Sequence, residues 1–226
     1  MKRSEINQAI REALELLENH NFALPPFAYW EPEDWQSKGK EADEIRSRAL
    51  GWDVTDFGSG TFDDLGLTVV TIRNGKLDAP DNVKIYAEKM LIVKENQVTP
   101  FHFHFSKTED IINRSGGDLL VKLYNSEKEG GFADTDVTVG CDGVERTVPA
   151  GGELVLRRGE SITLIPGVYH EFRGVEGHGT VLVGEVSSCN DDNVDNRFYT
   201  ELPRFPEIEE DEAPLRLLCN EYPAAE

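Results

Sequence analysis

The stretch FHFHFSKTED, residues 101–110, places His102 and His104 two positions apart within a run of phenylalanines. Side chains on a β-strand alternate between its faces, so the two imidazoles point to one side and the phenylalanines to the other. Glu109 has the opposite parity and joins the histidines only if the chain bends over residues 106–108, as at a hairpin corner. The stretch therefore predicts a strand with a histidine side, followed by a turn. Two histidines that merely face solvent or form hydrogen bonds are the alternative.

A second stretch, GESITLIPGVYH at residues 159–170, supplies a third imidazole. A short strand leads into the turn dipeptide Pro166-Gly167, and His170 comes three residues after the turn. The returning strand directs His170 toward a barrel interior, although a core histidine that caps the turn is an alternative. The two stretches together offer three imidazoles and one carboxylate, which suit Mn, Fe, Co, Ni or Zn.

The segments around these stretches predict an all-β architecture. From Leu67 onward, about nine short segments rich in β-branched and aromatic residues are separated by Gly, Asn and Asp, and Asp142-Gly143 signals a tight hairpin. Such a series predicts an antiparallel sandwich or barrel. Before it, apolar residues recur with helical spacing after Ser4, the expected N-cap. We expect one domain, residues 1–226, with a helical and irregular extension at 1–60, a barrel at 65–190 and a C-terminal arm at 191–226.

The composition restricts the possible partners and the compartment. The chain has 226 residues, with 43 Asp and Glu against 23 Lys and Arg, for a net charge of −20. That charge repels nucleic acid and anionic lipid, so neither is expected as a partner. The alternative is that the negative charge only keeps the protein soluble. The three cysteines are far apart and form no CxxC, and the N-terminus has no apolar signal segment. We expect a cytoplasmic protein.

The two stretches resemble the two cupin motifs. The first has HxH, four residues, Glu109, six residues and Gly116, and the second ends in His170. Asn96 stands where the first motif usually opens with glycine, Pro166 lies one place closer to the histidine than usual, and Gly174 stands where asparagine is common. These departures leave the four candidate ligands unchanged.

Further stretches, LGWDVTDFGSG, FADTDV, NDDNVDNRFY and RFPEIEED, extend the resemblance along nearly the whole chain to the D-lyxose ketol-isomerases, a cupin family. The resemblance implies a cupin-type antiparallel β-barrel (jelly roll) and interconversion of D-lyxose with D-xylulose, and often of D-mannose with D-fructose. It also implies one divalent metal per chain, usually Mn(II), with Co, Fe, Ni or Zn as further possibilities. The metal ligands would be His102, His104, Glu109 and His170.

An aldose–ketose isomerase moves a hydrogen between C1 and C2, either through an enediol, which needs a base, or by hydride shift. The candidate catalytic residues are Lys107, Glu109, Glu185 and Glu201, and the candidate substrate-binding residues are Lys89, Lys107 and Arg197. An exposed hairpin lysine is the alternative for Lys107, and an outward edge residue is the alternative for Glu185. The stretch NDDNVDNR, residues 190–197, either binds sugar hydroxyls or is an acidic loop. No Gly-rich phosphate-binding motif is present, which favours a neutral sugar over a sugar phosphate.

Two other functions fit the same ligand set. One is an Fe(II) cupin dioxygenase, which would consume oxygen, and the other is a non-catalytic sugar-binding cupin, which would give no turnover. We further expect a homodimer, because sheet edges that would otherwise be exposed often associate.

Overall fold

The computed structural model describes residues 1–76, 84–189 and 191–225. Its helices are α1 (Arg3–Asn19), α2 (Asp43–Ser47) and α3 (Asp192–Asp195), with short 3-10 helices at Pro26–Tyr29, Asp34–Ser37 and Lys40–Ala42. Its strands are β1 (Gly51–Thr55), β2 (Leu67–Arg73), β3 (Tyr86–Val93), β4 (Thr99–His104), β5 (Glu109–Gly116), β6 (Leu119–Ser126), β7 (Phe132–Ala133), β8 (Val137–Cys141), β9 (Val144–Val148), β10 (Glu153–Leu156), β11 (Ser161–Leu164), β12 (Val168–Gly174), β13 (Val181–Ser188) and β14 (Asn196–Phe198).

The strands form two antiparallel sheets. The larger has the order β1-β2-β3-β13-β5-β11-β8-β9, and the smaller has the order β10-β6-β12-β4-β14 with β7 paired to β6. On β6, Leu119, Val121 and Leu123 are buried while the residues between them are partly exposed, which is the period of two expected for a half-buried strand. These side chains join a core between the sheets that also includes Ile111 and Phe172. The predicted all-β architecture with an N-terminal helix is confirmed.

The larger sheet is buried on both faces near β3. Leu91 and Val93 belong to the core between the sheets, whereas Met90 and Ile92 belong to a second cluster. That second cluster contains the apolar face of α1, namely Ile6, Ala9, Ile10, Ala13 and Leu17. Because both faces are covered there, the second half of β3, residues 90–93, is a continuous apolar run and does not alternate between apolar and polar residues.

Helix α1 begins two residues earlier than the sequence predicts. Lys2 occupies the N-cap, so the assignment of Ser4 as the N-cap was wrong. The Ser4 hydroxyl instead donates to Asp211 Oδ2 at 2.6 Å. Arg3 is buried and pairs with Glu210 and Glu221, so the C-terminal segment is held against the first turn of the helix.

The same C-terminal segment also contacts the region between α1 and β1. The ring of Tyr222 stacks on Trp35 with 3.9 Å between centroids, and the Tyr222 hydroxyl donates to the Leu50 carbonyl at 2.7 Å. The backbone of Cys219 donates to the Trp52 carbonyl at 2.7 Å. Residues near both ends of the chain therefore pack on the outer face of the larger sheet.

Two features of the strands differ from the sequence prediction. Residues 51–55, which were assigned to the helical and irregular extension, form β1 and pair in register with β2, because Trp52 and Val54 are buried on the sheet's outer face. The described residues contain fourteen strands where about nine were predicted. The stretch VKIYAEKMLIV, residues 83–93, is one of the segments that the sequence predicts as a strand, and its first residue, Val83, lies outside the described residues.

The turn between β3 and β4 accommodates the departure from the first cupin motif at Asn96. Asn96 has φ of 58°, in the left-handed region. Asparagine tolerates this region better than most residues other than glycine, so the turn keeps its conformation without the usual glycine.

Candidate metal centre

The corner between β4 and β5 brings Glu109 to the two histidines. β4 ends at His104 and β5 begins at Glu109, so residues 105–108 form the bend that the parity of the sequence requires. His170 enters from β12, where it lies directly opposite His102 in the antiparallel pairing with β4. Two neighbouring strands and one corner therefore supply all four side chains.

The four side chains converge closely. One ligand atom from each of His102, His104, Glu109 and His170 lies within 4.8 Å of the others. His170 Nε2 is 3.0 Å from His102 Nε2 and 3.1 Å from Glu109 Oε1, which in turn is 3.2 Å from His104 Nε2. His104, Glu109 and His170 are buried, and His102 is partly buried.

In two of the histidines, the outer ring nitrogen, Nδ1, points away from the cluster, and the inner one, Nε2, points into it. The contacts of Nδ1 indicate where the ring proton lies. His102 Nδ1 lies 2.9 Å from the Pro100 carbonyl, and His170 Nδ1 lies 3.1 Å from the Val168 carbonyl. A carbonyl only accepts, so each Nδ1 carries the proton, and a ring with a single proton then has its lone pair on Nε2, the atom that faces the other ring. Two such lone pairs at 3.0 Å repel each other, and one cation coordinated by both nitrogens would remove the repulsion.

The remaining inner atoms also fit a cation. His104 Nε2 and Glu109 Oε1 are buried without a hydrogen-bond partner among the described residues. Three imidazoles and a carboxylate form a ligand set that first-row divalent metals accept, and a metal would satisfy these atoms together with the paired lone pairs. The residues present therefore fit one divalent metal ion.

Charge and burial keep the cluster in the protonation state that binds a metal. Burial, followed by the neighbouring His170 and His104, holds the pKa of His102 well below its usual value, so the ring is neutral. Burial alone would raise the pKa of Glu109, but the Lys107 ammonium and the His104 ring hold it well below its usual value. The site therefore offers neutral imidazole and an ionised carboxylate.

Lys107 connects the cluster to a second carboxylate. Its Nζ lies 2.7 Å from Glu109 Oε2 and donates to Glu185 Oε1 at 3.0 Å, and the side chain is 2% exposed. The alternative of an exposed hairpin lysine is therefore wrong. Glu185 is also buried, since it lies on β13 in the middle of the larger sheet and faces the inside, so the outward-edge alternative is wrong too.

Glu185 is held by more than Lys107. Lys89, its cross-strand neighbour on β3, places Nζ 3.3 Å from Glu185 Oε1, and the Ser187 hydroxyl donates to the same oxygen at 3.1 Å. The structure thus brings together Lys89, Lys107, Glu109 and Glu185, four of the six residues that the sequence nominated for catalysis or substrate binding.

The other two nominated residues lie elsewhere. Arg197 follows Asn196 on β14, and its guanidinium donates to the Glu129 carbonyl at 2.8 Å, away from the cavity beside the cluster. Glu201 is exposed and does not line that cavity. The candidate roles of Arg197 and Glu201 receive no support from their positions. In a β-strand, neighbouring residues face opposite sides, so a motif can place Asn196 in the cavity while turning Arg197 outward.

The cavity beside the cluster is lined by residues that the sequence interpretation did not nominate individually. It has a volume of about 50 Å³ and includes Thr99, Asn196 and Phe198 in its wall, with Thr99 Oγ1 and Asn196 Oδ1 buried without hydrogen-bond partners among the described residues. A second cavity of about 400 Å³ shares Lys89 and Arg204 with it. The NDDNVDNR stretch was the available signal for Asn196, whereas the first residue of that stretch, Asn190, lies outside the described residues.

Known proteins similar to this chain are sugar isomerases. The family model described as D-lyxose isomerase matches residues 1–222. A D-lyxose/D-mannose isomerase of Serratia proteamaculans is 49% identical over 98% of both chains, and one of Escherichia coli O157:H7 is 48% identical over 98% of both chains. A more distant D-lyxose/D-mannose isomerase, of Thermosediminibacter oceani, is 27% identical over 93% of this chain and 99% of its own.

Solved structures share the architecture at low sequence identity. L-ribose isomerase of Acinetobacter sp. DL28 superposes with a TM-score of 0.60 at 15% identity, covering 92% of this chain and 98% of that one. L-ribose isomerase of Cellulomonas parahominis gives a TM-score of 0.56 at 17% identity over the same shares. These likenesses concern the fold, which is the cupin-type antiparallel β-barrel predicted from the sequence.

Proposed function

Because the chain belongs to the D-lyxose isomerase family, we propose that it interconverts D-lyxose with D-xylulose, and D-mannose with D-fructose, with the aid of a divalent metal. The protein is an aldose–ketose isomerase, and the choice of sugars is the proposal. The observation that carries it is the buried chain of contacts from Glu185 through Lys107 to Glu109, which ends at three converging imidazoles.

We propose Mn(II) as the metal, held by His102, His104, Glu109 and His170. Co, Fe, Ni and Zn suit the same donors. When bound, such an ion supplies Lewis acidity that polarises the substrate oxygens at C1 and C2. The residues themselves favour binding of the ion, because His102 presents a neutral ring and Glu109 an ionised carboxylate before it arrives.

Proton transfer is assigned to Glu185 and Lys107. In the enediol route Glu185 takes the C2 proton and returns it to C1, since Glu109 Oε1 faces the ring nitrogens while Glu185 lies outside the cluster. Lys107 would donate a proton to O1 as the enediol forms and would take the O2 proton as the ketose forms, which restores its ammonium. A hydride shift between the two carbons would need only the charge stabilisation and would leave Glu185 without a proton to transfer.

The two cavities, which share Lys89 and Arg204 in their walls, would accommodate a polyhydroxyl chain. The reacting carbons would occupy the small inner cavity, and the distal hydroxyls would extend past Lys89 and Arg204 toward the larger one. Thr99 Oγ1 and Asn196 Oδ1 each have hydrogen-bonding capacity that a sugar hydroxyl would use. D-lyxose and D-mannose share their configuration at C2, C3 and C4, so one arrangement serves both.

The test is incubation of Mn-loaded protein with a panel of aldoses, followed by sugar analysis. We expect D-xylulose from D-lyxose and D-fructose from D-mannose, loss of activity with chelator, recovery with Mn²⁺ and no oxygen uptake. The enediol route predicts deuterium at C1 of the ketose when the reaction runs in deuterated water. Metal-dependent oxygen consumption without ketose would contradict the proposal, and sugar binding without turnover would do so as well.

The ligand set is tested separately by metal analysis of single alanine variants. We expect His102→Ala and His170→Ala to lose bound metal, because each removes one of the facing Nε2 donors. The control is His178→Ala, whose side chain is exposed and pairs with Asp118 outside the cluster. Full metal retention in the first two variants would show that the ion, if any, is held elsewhere.

We also propose that the protein is a cytoplasmic homodimer. No helix within the described ranges is long and apolar enough to cross a membrane. The support for a dimer is that β9 and β10 end their sheets and that Val144 and Val155 on these strands are exposed. Light scattering coupled to gel filtration would give the mass of about two chains, and a single-chain mass would reject the dimer.

A further inference from the structure

His104 differs from the other two histidines of the candidate centre in its outer nitrogen. His102 Nδ1 and His170 Nδ1 each face a backbone carbonyl two residues earlier on the same strand. His104 Nδ1 is buried without a hydrogen-bond partner among the described residues, and the carboxylate oxygen nearest to it is Asp195 Oδ2 at 3.8 Å. Metal-binding histidines almost always donate the outer N–H to a carbonyl, a carboxylate or water.

Asp195 already holds the corner that carries the cluster. It is 6% exposed, and its Oδ1 accepts from the Ser106 amide at 2.9 Å and from the Ser106 hydroxyl at 2.6 Å. Its Oδ2 accepts from the Lys107 amide at 3.2 Å, and its own carbonyl accepts from the Phe105 amide at 3.0 Å. One residue at the end of α3 thus fixes the backbone between His104 and Glu109.

We propose that Asp195 is the positioning residue of the candidate metal centre, where one carboxylate both ties the β4–β5 corner and accepts the Nδ1 proton of His104. This inference rests on the proposed function, since it assigns a role toward the metal. The carboxylate selects the tautomer that turns His104 Nε2 toward His170 and Glu109. It also sets the backbone from which Lys107 and Glu109 project.

The chemistry requires a carboxylate at this position. Three donors reach the oxygens of Asp195: the amide and hydroxyl of Ser106 on Oδ1, and the Lys107 amide on Oδ2, the oxygen that also faces the His104 ring. An asparagine presents an NH₂ group to one of these sides, where it meets another donor. Asp195→Asn, a nearly isosteric change, therefore separates the role of the charge from the space that the side chain fills.

The experiment compares Mn²⁺ binding by calorimetry in chelator-stripped wild type, Asp195→Asn and Ser106→Ala. Ser106→Ala is the matched control, because it removes one bond to the same carboxylate but leaves the acceptor that faces His104. We expect about 10–100-fold weaker Mn²⁺ binding in Asp195→Asn and binding close to the wild type in Ser106→Ala. Wild-type affinity in Asp195→Asn, or equal weakening in both variants, would overturn the proposal.

A measurement on the wild type keeps the inference testable if Asp195→Asn does not fold. Long-range ¹H–¹⁵N spectra of the Zn²⁺-loaded protein should show a slowly exchanging Nδ1–H on all three ligating rings. A His104 ring without a hydrogen-bonded Nδ1–H would refute the role of Asp195 whatever the variant does. Failure of the proposed function gives a different result, since Mn²⁺ binding without isomerisation of any aldose would reject the isomerase substrates and leave the role of Asp195 intact.

Discussion

Replacing Lys107 by methionine tests how strongly the site depends on its buried ammonium. Lys107 Nζ contacts Glu109 Oε2 at 2.7 Å and Glu185 Oε1 at 3.0 Å, and methionine keeps most of the side chain's unbranched length while removing the charge. Two unit charges at about 4 Å attract by about 4 kcal/mol at an effective dielectric constant of 20. Glu185 keeps Lys89 as an ion-pair partner, so the variant mainly loses the attraction between Lys107 and Glu109.

The loss in free energy of unfolding has an upper limit, because Glu109 can bind a proton instead of remaining charged. Protonating a carboxyl of ordinary pKa, about 4.3, at pH 7 costs about 3.7 kcal/mol. We therefore expect Lys107→Met to lower the free energy of unfolding of the metal-free protein by about 3–4 kcal/mol at pH 7. Urea denaturation in the presence of chelator measures this difference, and Lys128→Met, at an exposed lysine, should change it by less than about 0.5 kcal/mol.

Added metal distinguishes this explanation from a simple packing defect. A divalent cation bound beside Glu109 replaces the missing positive charge, so Mn²⁺ should restore more stability to Lys107→Met than it adds to the wild type. Turnover should nevertheless stay low, because the variant lacks the ammonium that we propose acts on the substrate oxygens, so kcat/KM should fall while the metal is retained. Equal stabilisation of both proteins by Mn²⁺, or unchanged kcat/KM in the variant, would refute this reasoning.

Three further predictions concern the ligand set, the C-terminal segment and a glycine of the first motif. The wild type should gain thermal stability from Mn²⁺, and this gain should disappear in His170→Ala but persist in His178→Ala, as measured by differential scanning fluorimetry. Tyr222→Phe should cost about 1–3 kcal/mol at pH 7 because the Leu50 carbonyl loses its donor. Burial raises the pKa of Tyr222, so its contribution to the free energy of unfolding is fully present below about pH 10 and is lost as the pH rises further. The difference in free energy of unfolding between wild type and Tyr222→Phe, measured by urea denaturation, should therefore narrow above about pH 10. Gly116→Ala should cost more than about 2 kcal/mol, because φ is 86° and the new Cβ would lie 2.2 Å from a backbone carbonyl oxygen; a smaller loss would mean that the turn readjusts.

From the sequence alone, local geometry predicted how three of the candidate ligands come together. Alternation along a strand puts His102 and His104 on one face, and the count of residues to Glu109 requires a corner between them. The structure places that corner at residues 105–108. Turn residues and strand parity act over a few positions, so such features can be predicted from a short stretch.

Pairing between distant strands was decided only by the tertiary structure. The burial of Lys107 follows from β13, which carries Glu185 78 residues further along the chain, and from Asp195 at the end of α3. The strand β1 likewise exists because β2 offers it a partner edge and α1 covers its outer face. Local sequence patterns specify which way a side chain points from its own element but not which element lies opposite. Local patterns therefore left Lys107 open as an exposed hairpin residue and made Arg197 a candidate for substrate binding. They did not single out Asp195. The surroundings of all three residues depend on the packing of strands that are distant in the sequence.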